Sequence, residues 1–353
     1  MKISLAMIVK NEEDVLRECL NSVRSIVDEI VLVDTGSEDN TINIAKEFGA
    51  NLYRLDWGND FSLARNFAAE KCTGDWILVL DADETVCVGN KETLINFAVD
   101  NPNGIGKIEI LSKFLENDEV SFSKEWVSRF YPKGILFKGY VHEQLDTTNP
   151  RINMSFRVNH SGYFKKDKSE RNLQLLFKEL ENDPGDHYIL YQIARTLHVA
   201  KRYLEASEYF ERCYKLNEDN HIYTKSFIIL YIYNTINTGN FSMGLNIINR
   251  YKAKYLKSTD FNFVCGIFYM NLILSDINSY SKYINLIEES YLRCLDIGEK
   301  EDETVLGLGT YKAAYNLGVF YETTGDISRA KEYYKLSSEY GYNLAKSRLF
   351  GMK

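Results

Sequence analysis

The sequence is poor in proline and has no long apolar segment. Only 4 of its 353 residues are proline, which leaves little room for a disordered linker or a proline-rich tail. No apolar run approaches the length of a membrane span. The apolar run at the N-terminus is too short for a secretory signal and turns acidic at once. These absences predict a folded chain without a membrane span.

Cysteine is scarce and scattered along the chain. The 6 cysteines form no CxxC pair and no cluster with histidine, and several stand in apolar stretches, as buried free thiols do. Free thiols are typical of a reducing compartment. We therefore expect a cytoplasmic protein.

Basic charge and the common phosphate-binding motifs are also lacking. The formal net charge of −8 argues against a general nucleic-acid binder. No GxGxxG or GxxxxGK[ST] motif occurs, so neither a dinucleotide site nor a P-loop is supported. A length of 353 residues is typical of about two domains.

The first half of the chain alternates short apolar segments with helix-like segments. Strands are predicted at residues 3–9, 29–33, 51–55 and 76–80, with helices between them. This alternation predicts a mostly parallel sheet covered by helices on both faces. From residue 105 to about residue 160 the pattern turns to short strands and loops. In parallel sheets of this kind, ligands bind beyond the carboxyl ends of the strands.

Polar residues follow three of these strands, as Lys10-Asn11-Glu12, Asp34-Thr35 and Asp81-Ala82-Asp83. The two carboxylates of Asp81 and Asp83, one residue apart at a strand end, can hold Mg²⁺ or Mn²⁺. Such an ion neutralises charge on a departing diphosphate. The alternative is an N-cap aspartate beside a solvent-facing acid.

These motifs follow the order found in a known family. The segments AMIVKNEE, DEIVLVDTGSEDNT, WGNDFSLARN and GDWILVLDADE lie within residues 1 to about 85 and resemble the family 2 glycosyltransferases, which have the GT-A fold. Later segments, RFYPK and FKGYVHEQ, resemble a subgroup with tetratricopeptide-type C-termini. That subgroup includes peptide S-glycosyltransferases of the sublancin type and lipopolysaccharide-core glucosyltransferases.

The resemblance implies an α/β GT-A domain over residues 1–166 and an all-α tetratricopeptide-like helical repeat domain over residues 167–353. It also implies a nucleoside-diphosphate sugar, UDP-linked by preference, bound along the strand ends. The residues that it places at this donor are Val9, Lys10, Asn11, Glu12, Asp34, Thr35, Arg65, Asn66, Asp81 and Ala82. Thr35 stands where many relatives have a second aspartate. For Arg65, a surface ion pair with Asp60 is the alternative.

Two further groups of polar residues have side chains that can act in catalysis or metal binding. An inverting transfer needs a base to deprotonate the acceptor, and His142-Glu143 lies in a glycine-containing loop. Glu143 is the first candidate for this base and His142 the second. His160 follows an apolar strand; it either joins Asp81 and Asp83 as a metal ligand or stabilises its own loop by hydrogen bonds.

The second half is rich in tyrosine and repeats a spacing of small and large residues. Ala206 and Phe210 in one unit correspond to Ala330 and Tyr334 in another, as in tetratricopeptide repeats. Small residues in such arrays let two helices approach closely, and large ones fill the gaps. We expect this array to dock the acceptor or to form a homodimer.

Three functions remain open from the sequence. The first is metal-assisted, inverting transfer of a sugar to a peptide or protein. The second is the same chemistry on a lipopolysaccharide or other glycan acceptor. The third is a transferase domain that has lost activity and serves as a repeat-based binding scaffold.

Overall fold

The computed structural model describes residues 1–116, 119–161, 168–216, 220–301 and 303–352. The chain divides into two compact units, Met1–Asp183 and Pro184–Lys353. The boundary predicted between residues 166 and 167 lies outside the described residues.

The strands of the first unit are β1 Ile3–Val9, β2 Glu29–Asp34, β3 Asn51–Arg54, β4 Trp76–Val79, β5 Glu84–Val88, β6 Ile105–Glu116, β7 Glu119–Pro132, β8 Phe137–Lys138, β9 Gln144–Leu145 and β10 Arg151–His160. An eight-stranded sheet has the order β3-β2-β1-β4-β7-β6-β10-β5, and β8 pairs with β9 separately. The first four strands match the predicted ones to within one residue. They pair in parallel, with β1 between β2 and β4.

The helices of the first unit are α1 Leu16–Val23, α2 Thr41–Glu47, α3 Phe61–Lys71, α4 Lys91–Asp100 and α5 Ser169–Asn182. One face of the sheet packs on a core that includes Leu16 and Leu20 of α1 and Phe97 of α4. The other face packs Val31 and Val33 against α3. The predicted α/β arrangement, with helices on both faces, is confirmed.

The second half of the sheet is more regular than the predicted short strands. Strands β6 and β7 form a long antiparallel hairpin, and β7 also pairs antiparallel with β4. Polar residues 123–125 interrupt the apolar pattern within β7, so the sequence suggested two strands where the structure has one. Strand β10 pairs in parallel with β6 and antiparallel with β5, which makes the sheet mixed.

The second unit is helical. Its helices are α6 His187–Val199, α7 Tyr203–Lys215, α8 Thr224–Thr238, α9 Phe241–Tyr251, α10 Thr259–Ser275, α11 Ile277–Tyr280, α12 Ile284–Ile297, α13 Tyr311–Thr324, α14 Ile327–Glu339 and α15 Asn343–Gly351, with a short 3₁₀ turn at Ser281–Tyr283. The close approach predicted at small residues is confirmed at Gly318, where a Cβ atom would lie 2.5 Å from the Tyr334 ring.

Two predictions from composition can be compared with the structure. Among the described residues, no helix is both long and apolar enough to cross a membrane. The cysteines are free thiols, buried as predicted except for Cys87, which is exposed.

Two buried carboxyl groups, those of Asp260 and Glu303, lie at the N-terminus of α10. The Glu303 carboxylate accepts hydrogen bonds from the Thr259 and Asp260 amides, both at 2.9 Å. Asp260 in turn accepts bonds from the Thr304 amide and hydroxyl at 2.7 and 2.8 Å. Burial, with the nearby charge of Glu303, raises the pKa of Asp260 to about 7 from 3.8. The Lys225 ammonium, 3.8 Å from Glu303, also faces this pair.

We expect the stability of α10 to fall as the pH rises through about 7. The folded chain holds a proton on Asp260 that the unfolded chain releases near 3.8, so this stabilisation is complete below that pH and is lost as Asp260 ionises. Hydrogen exchange at the α10 amides, measured from about pH 5 to pH 8, checks this. Asp260→Asn should remove the pH dependence. Asp296→Asn, at an exposed position of α12, is the control and should leave the pH dependence unchanged. An unchanged profile in Asp260→Asn would contradict the prediction.

Candidate active site

The loops after β1 and β2 form one rigid platform at the carboxyl edge of the sheet. The Asn11 amide donates to Ser37 Oγ at 2.9 Å, and Asn11 Oδ1 accepts the Glu38 amide at 2.8 Å. The Glu12 amide donates to Thr41 Oγ1 at 2.8 Å. Asn11 has a left-handed backbone with φ of 55°, a conformation that asparagine tolerates better than most residues. The exposed Lys10 stands beside it.

Several residues predicted to bind the nucleotide sugar have side chains that bond to the protein backbone or lie in the core. Asp34 accepts the amides of Gly36 and Ser37 at 3.1 and 3.0 Å. The Thr35 hydroxyl donates to the Val9 carbonyl at 3.1 Å. The side chains of Val9 and Ala82 lie in the hydrophobic core. These two residues therefore offer only backbone atoms to a ligand.

Both oxygens of Asp81 are bound by arginines. Arg65 Nη2 donates to Oδ1 at 2.9 Å, and Arg129 Nη2 donates to Oδ2 at 2.6 Å. Burial raises the pKa of the Asp81 carboxyl, but Arg129 and Arg65 outweigh that effect and hold the pKa well below its usual value. Asp81 neither begins a helix nor faces solvent alone, so the N-cap alternative is wrong. Its direct contact with a metal stays a prediction.

Arg129 and Glu84 belong to this network, although the sequence analysis did not single them out. Arg129 Nη2 also donates to Glu84 Oε1 at 3.0 Å, and Glu84 Oε2 accepts the Asp81 amide at 2.9 Å. Burial raises the pKa of Glu84 to about 7; Arg129 opposes that shift and Asp81 adds to it. An arginine next to the apolar residues Phe130 and Tyr131 was the available signal, because a buried guanidinium needs a charged partner.

Arg65 connects this network to the predicted base. Its Nε donates to Glu143 Oε1 while its Nη2 bonds Asp81. Asp60, the alternative partner, instead caps α3 by accepting the Leu63 amide at 2.9 Å. The alternative of a surface ion pair is therefore wrong, because Arg65 is buried on the inner side of α3. Arg65 Nη1 and Arg129 Nε are buried without a hydrogen-bond partner among the described residues.

The loop between β8 and β9 carries His142 and Glu143. The Asn66 amide group bonds the backbone of Phe137 twice, at 2.7 and 2.9 Å. Asn66 therefore holds this loop in the structure rather than pointing into the carboxylate network. His142 has a left-handed backbone with φ of 54°, and the Glu143 side chain is directed at Arg65.

His160 and Asp83 lie within hydrogen-bond distance of each other, which is compatible with both roles predicted for His160, metal ligand and loop-stabilising residue. His160 Nε2 lies 3.2 Å from Asp83 Oδ2, and its Nδ1 lies 3.1 Å from Ser112 Oγ. The hydrogen bond with Asp83 raises the pKa of His160, while burial lowers it. Asp83 and His160 thus offer one carboxylate and one imidazole to a cation, with Ser112 orienting the ring.

The side chains of Asp83 and His160 are suitable ligands for Mg²⁺ or Mn²⁺. No three His, Cys, Asp or Glu side chains converge as a metal cage in the described part of the chain. Mg²⁺ is commonly held by only one or two carboxylates, with phosphate oxygens and water completing its shell. Asp83, beside the strand end, meets that requirement.

Comparisons with known proteins agree with this geometry. A family model described as glycosyl transferase family 2 matches residues 4–190, and a tetratricopeptide-repeat model matches residues 187–220 and 311–340. A TPR repeat-containing protein of Synechococcus elongatus is 36% identical over 206 residues, which cover 53% of this chain and 50% of that protein. The SPbeta prophage-derived glycosyltransferase SunS of Bacillus subtilis is 29% identical over 245 residues, which cover 62% of this chain and 56% of SunS.

The chain spans about half the length of these two relatives. The helices α6–α7 and α13–α14 coincide with the two repeat matches, so the predicted tetratricopeptide-like region is confirmed. The family 2 match covers more than half of the chain and includes the sheet, both arginines and the His142–Glu143 loop. The protein belongs to glycosyl transferase family 2.

Proposed function

We propose that the protein transfers a sugar from a nucleoside-diphosphate sugar, UDP-linked by preference, to a peptide or protein acceptor with inversion at the anomeric carbon. The observation that carries this proposal is the pair of ion pairs made by Arg65. This one buried side chain bonds Glu143, the proposed base, and Asp81, at the strand end where the donor is proposed to bind.

The proposed donor site runs along the carboxyl ends of β1, β2 and β4. Lys10 and the Asn11–Ser37 platform lie beside the proposed nucleotide, and Asp34 stands at the end of β2 for the base or ribose. Asp83 and His160 are the proposed ligands of a divalent ion. When bound, such an ion supplies positive charge to the departing diphosphate.

Glu143 is the proposed base, with His142 as the alternative. A base must lie within hydrogen-bond reach of the acceptor group that it deprotonates. Arg65 fixes one carboxylate oxygen of Glu143, so the other oxygen is available for the acceptor proton. As Glu143 takes the proton, the acceptor atom bonds to the anomeric carbon on the side opposite the diphosphate, and the bond to the diphosphate oxygen breaks. Attack from that side inverts the anomeric carbon.

The helical repeats are the proposed docking surface for the acceptor and a candidate surface for a homodimer. A peptide or protein is preferred because the array adds a large helical surface beyond the catalytic residues. A glycan acceptor is the alternative. The second alternative is an inactive transferase domain that serves as a binding scaffold. Hydrolysis of a nucleotide sugar by the protein would exclude that alternative.

UDP with Mn²⁺ is expected to stabilise the first unit. At about a hundredfold excess over its dissociation constant, a ligand adds about 2.7 kcal/mol to the free energy of unfolding. The three tryptophans, Trp57, Trp76 and Trp126, all lie in this unit, so tryptophan fluorescence during thermal unfolding reports on it alone. A panel of UDP-glucose, UDP-galactose and UDP-N-acetylglucosamine then identifies the sugar.

Asp83→Ala should lose the manganese-dependent part of this shift, because it removes the proposed carboxylate ligand. Asp100→Ala, which removes an exposed carboxylate at the end of α4, is the matched control and should keep the manganese effect. The absence of any shift with UDP, GDP and TDP in the presence of Mn²⁺ would exclude the proposed donor site.

A further inference from the structure

The loop that carries Glu143 has little regular structure of its own. It runs between the two-residue strands β8 and β9. Two residues in it have a left-handed backbone, Gly139 with φ of 97° and His142 with φ of 54°. Residues other than glycine populate this region rarely, so contacts from outside must hold the loop in place.

Helix α3 holds one side of this loop. The Phe61 amide donates to the Tyr140 carbonyl at 2.9 Å. Asn66, one turn further along α3, binds both the carbonyl and the amide of Phe137. The two Asn66 bonds hold Phe137, just before the loop, and the Phe61 bond holds the carbonyl of Tyr140 within it.

Helix α5 holds the other side, through Glu179. Glu179 Oε2 accepts the Tyr140 amide at 3.2 Å. At Gly139, a Cβ atom would lie 3.4 Å from Glu179 Oε1, so the carboxylate packs directly on the glycine backbone. The neighbouring Lys178 ammonium lies 4.5 Å from the centre of the Tyr140 ring. Tyr140 is thus held at its carbonyl by α3 and at its amide by α5.

We propose that Glu179 is a positioning residue for the reaction: it holds the Tyr140 amide so that Glu143, three residues later, stays on Arg65. This inference rests on the proposed role of Glu143 as the base. Glu179 lies outside the strands and loops that carry the other site residues, and its effect is exerted through the loop backbone. The bond from the Tyr140 amide to the Glu179 carboxylate is charge-assisted, and the packing of the same carboxylate on Gly139 adds to its hold on the loop backbone.

The test compares Glu179→Met with Glu179→Gln in the full chain. The two side chains have similar length, but only glutamine has an oxygen that accepts the Tyr140 amide. The assay is hydrolysis of the UDP-sugar selected above, with Mn²⁺, where water replaces the acceptor. We expect Glu179→Met to lower kcat by about 10–100-fold with little change in KM for the donor, because misplacement of a catalytic group affects chemistry more than donor binding.

Glu179→Gln should keep most of the wild-type kcat, and Glu181→Met, at an exposed position of the same helix, should keep all of it. Hydrogen exchange at the Tyr140 amide should be fast in Glu179→Met and slow in Glu179→Gln. This readout separates positioning of the loop from a general loss of stability, which the melting temperature reports.

The outcomes distinguish this inference from the function on which it rests. If Glu143→Gln loses activity but Glu179→Met keeps it, Glu179 does not position the base and the proposed function stands. If the wild-type chain does not hydrolyse any donor, the proposed function fails first. Should Glu179→Met not fold, a folded Glu179→Gln with a large loss of kcat would still overturn the inference, because its amide oxygen retains the bond to Tyr140.

Discussion

Glu143→Gln is expected to lower the rate of sugar transfer by about 10²–10⁴-fold, the range typical of a lost general base. Glutamine keeps the size of the side chain and an oxygen for Arg65, but it cannot take a proton from the acceptor. Affinity for UDP with Mn²⁺ should remain close to that of the unchanged chain, since glutamine keeps a partner for Arg65 and the proposed metal ligands Asp83 and His160 are unchanged. Steady-state kinetics and the thermal shift with UDP measure the two quantities separately.

Glu92→Gln, on the exposed side of α4, is the control for this substitution and should leave both quantities unchanged. The size of the loss also reports on the acceptor. A thiol is already partly ionised near neutral pH, so a cysteine-containing peptide should depend less on Glu143 than a serine-containing one. Full activity of Glu143→Gln on an alcohol acceptor would transfer the assignment to His142.

Most of the parallel half of the fold was predictable because three of its four strands are buried on both faces. Strands β1, β2 and β4 are continuous apolar segments that end abruptly at polar residues. Such segments mark both the strand and its carboxyl end. The hairpin of β6 and β7 has no such signal, because part of it is polar. Its length follows from pairing between strands, which a local pattern does not contain.

Part of the site was predictable from residue type and from position at the end of a strand. His160 was expected either to join Asp83 at a metal or to stabilise its own loop, and the structure brings the two side chains together across 77 positions of sequence. The pairing of Arg65 was not predictable, because Asp60 is its near neighbour in sequence and Asp81 and Glu143 are its neighbours only in space. For the same reason, the contact of Glu179 with Tyr140 has no signal in the sequence.

Asn66 shows a further limit of inference from a motif. It stands next to Arg65, and the resemblance implied that both face the donor. Successive residues of a helix point about 100° apart, so the two side chains on α3 reach different places. Arg65 reaches the carboxylates, whereas Asn66 reaches the backbone of Phe137. A motif therefore identifies a helix at the site more securely than it assigns a role to each of its residues.

Arg129→Met is expected to destabilise the first unit by about 3–5 kcal/mol, the usual effect of removing one partner from a buried ion pair. The Arg129 side chain is 10% exposed and Glu84 is 3% exposed, so methionine leaves the Glu84 carboxyl in the interior without its counter-ion. Asp81 loses one of its two arginines at the same time. Urea unfolding followed by tryptophan fluorescence measures this, since the three tryptophans lie in the first unit.

Two matched variants separate the charge from the packing. Arg157→Met removes another strand arginine that pairs with a glutamate, Glu109, but Arg157 is 43% exposed, so the loss should be at most about 1 kcal/mol. Adding Glu84→Gln to Arg129→Met should recover much of the stability, because the amide is neutral, whereas Glu84 without Arg129 must take up a proton or stay an unpaired carboxylate. If the double variant is no more stable than Arg129→Met alone, the arginine acts through its packing.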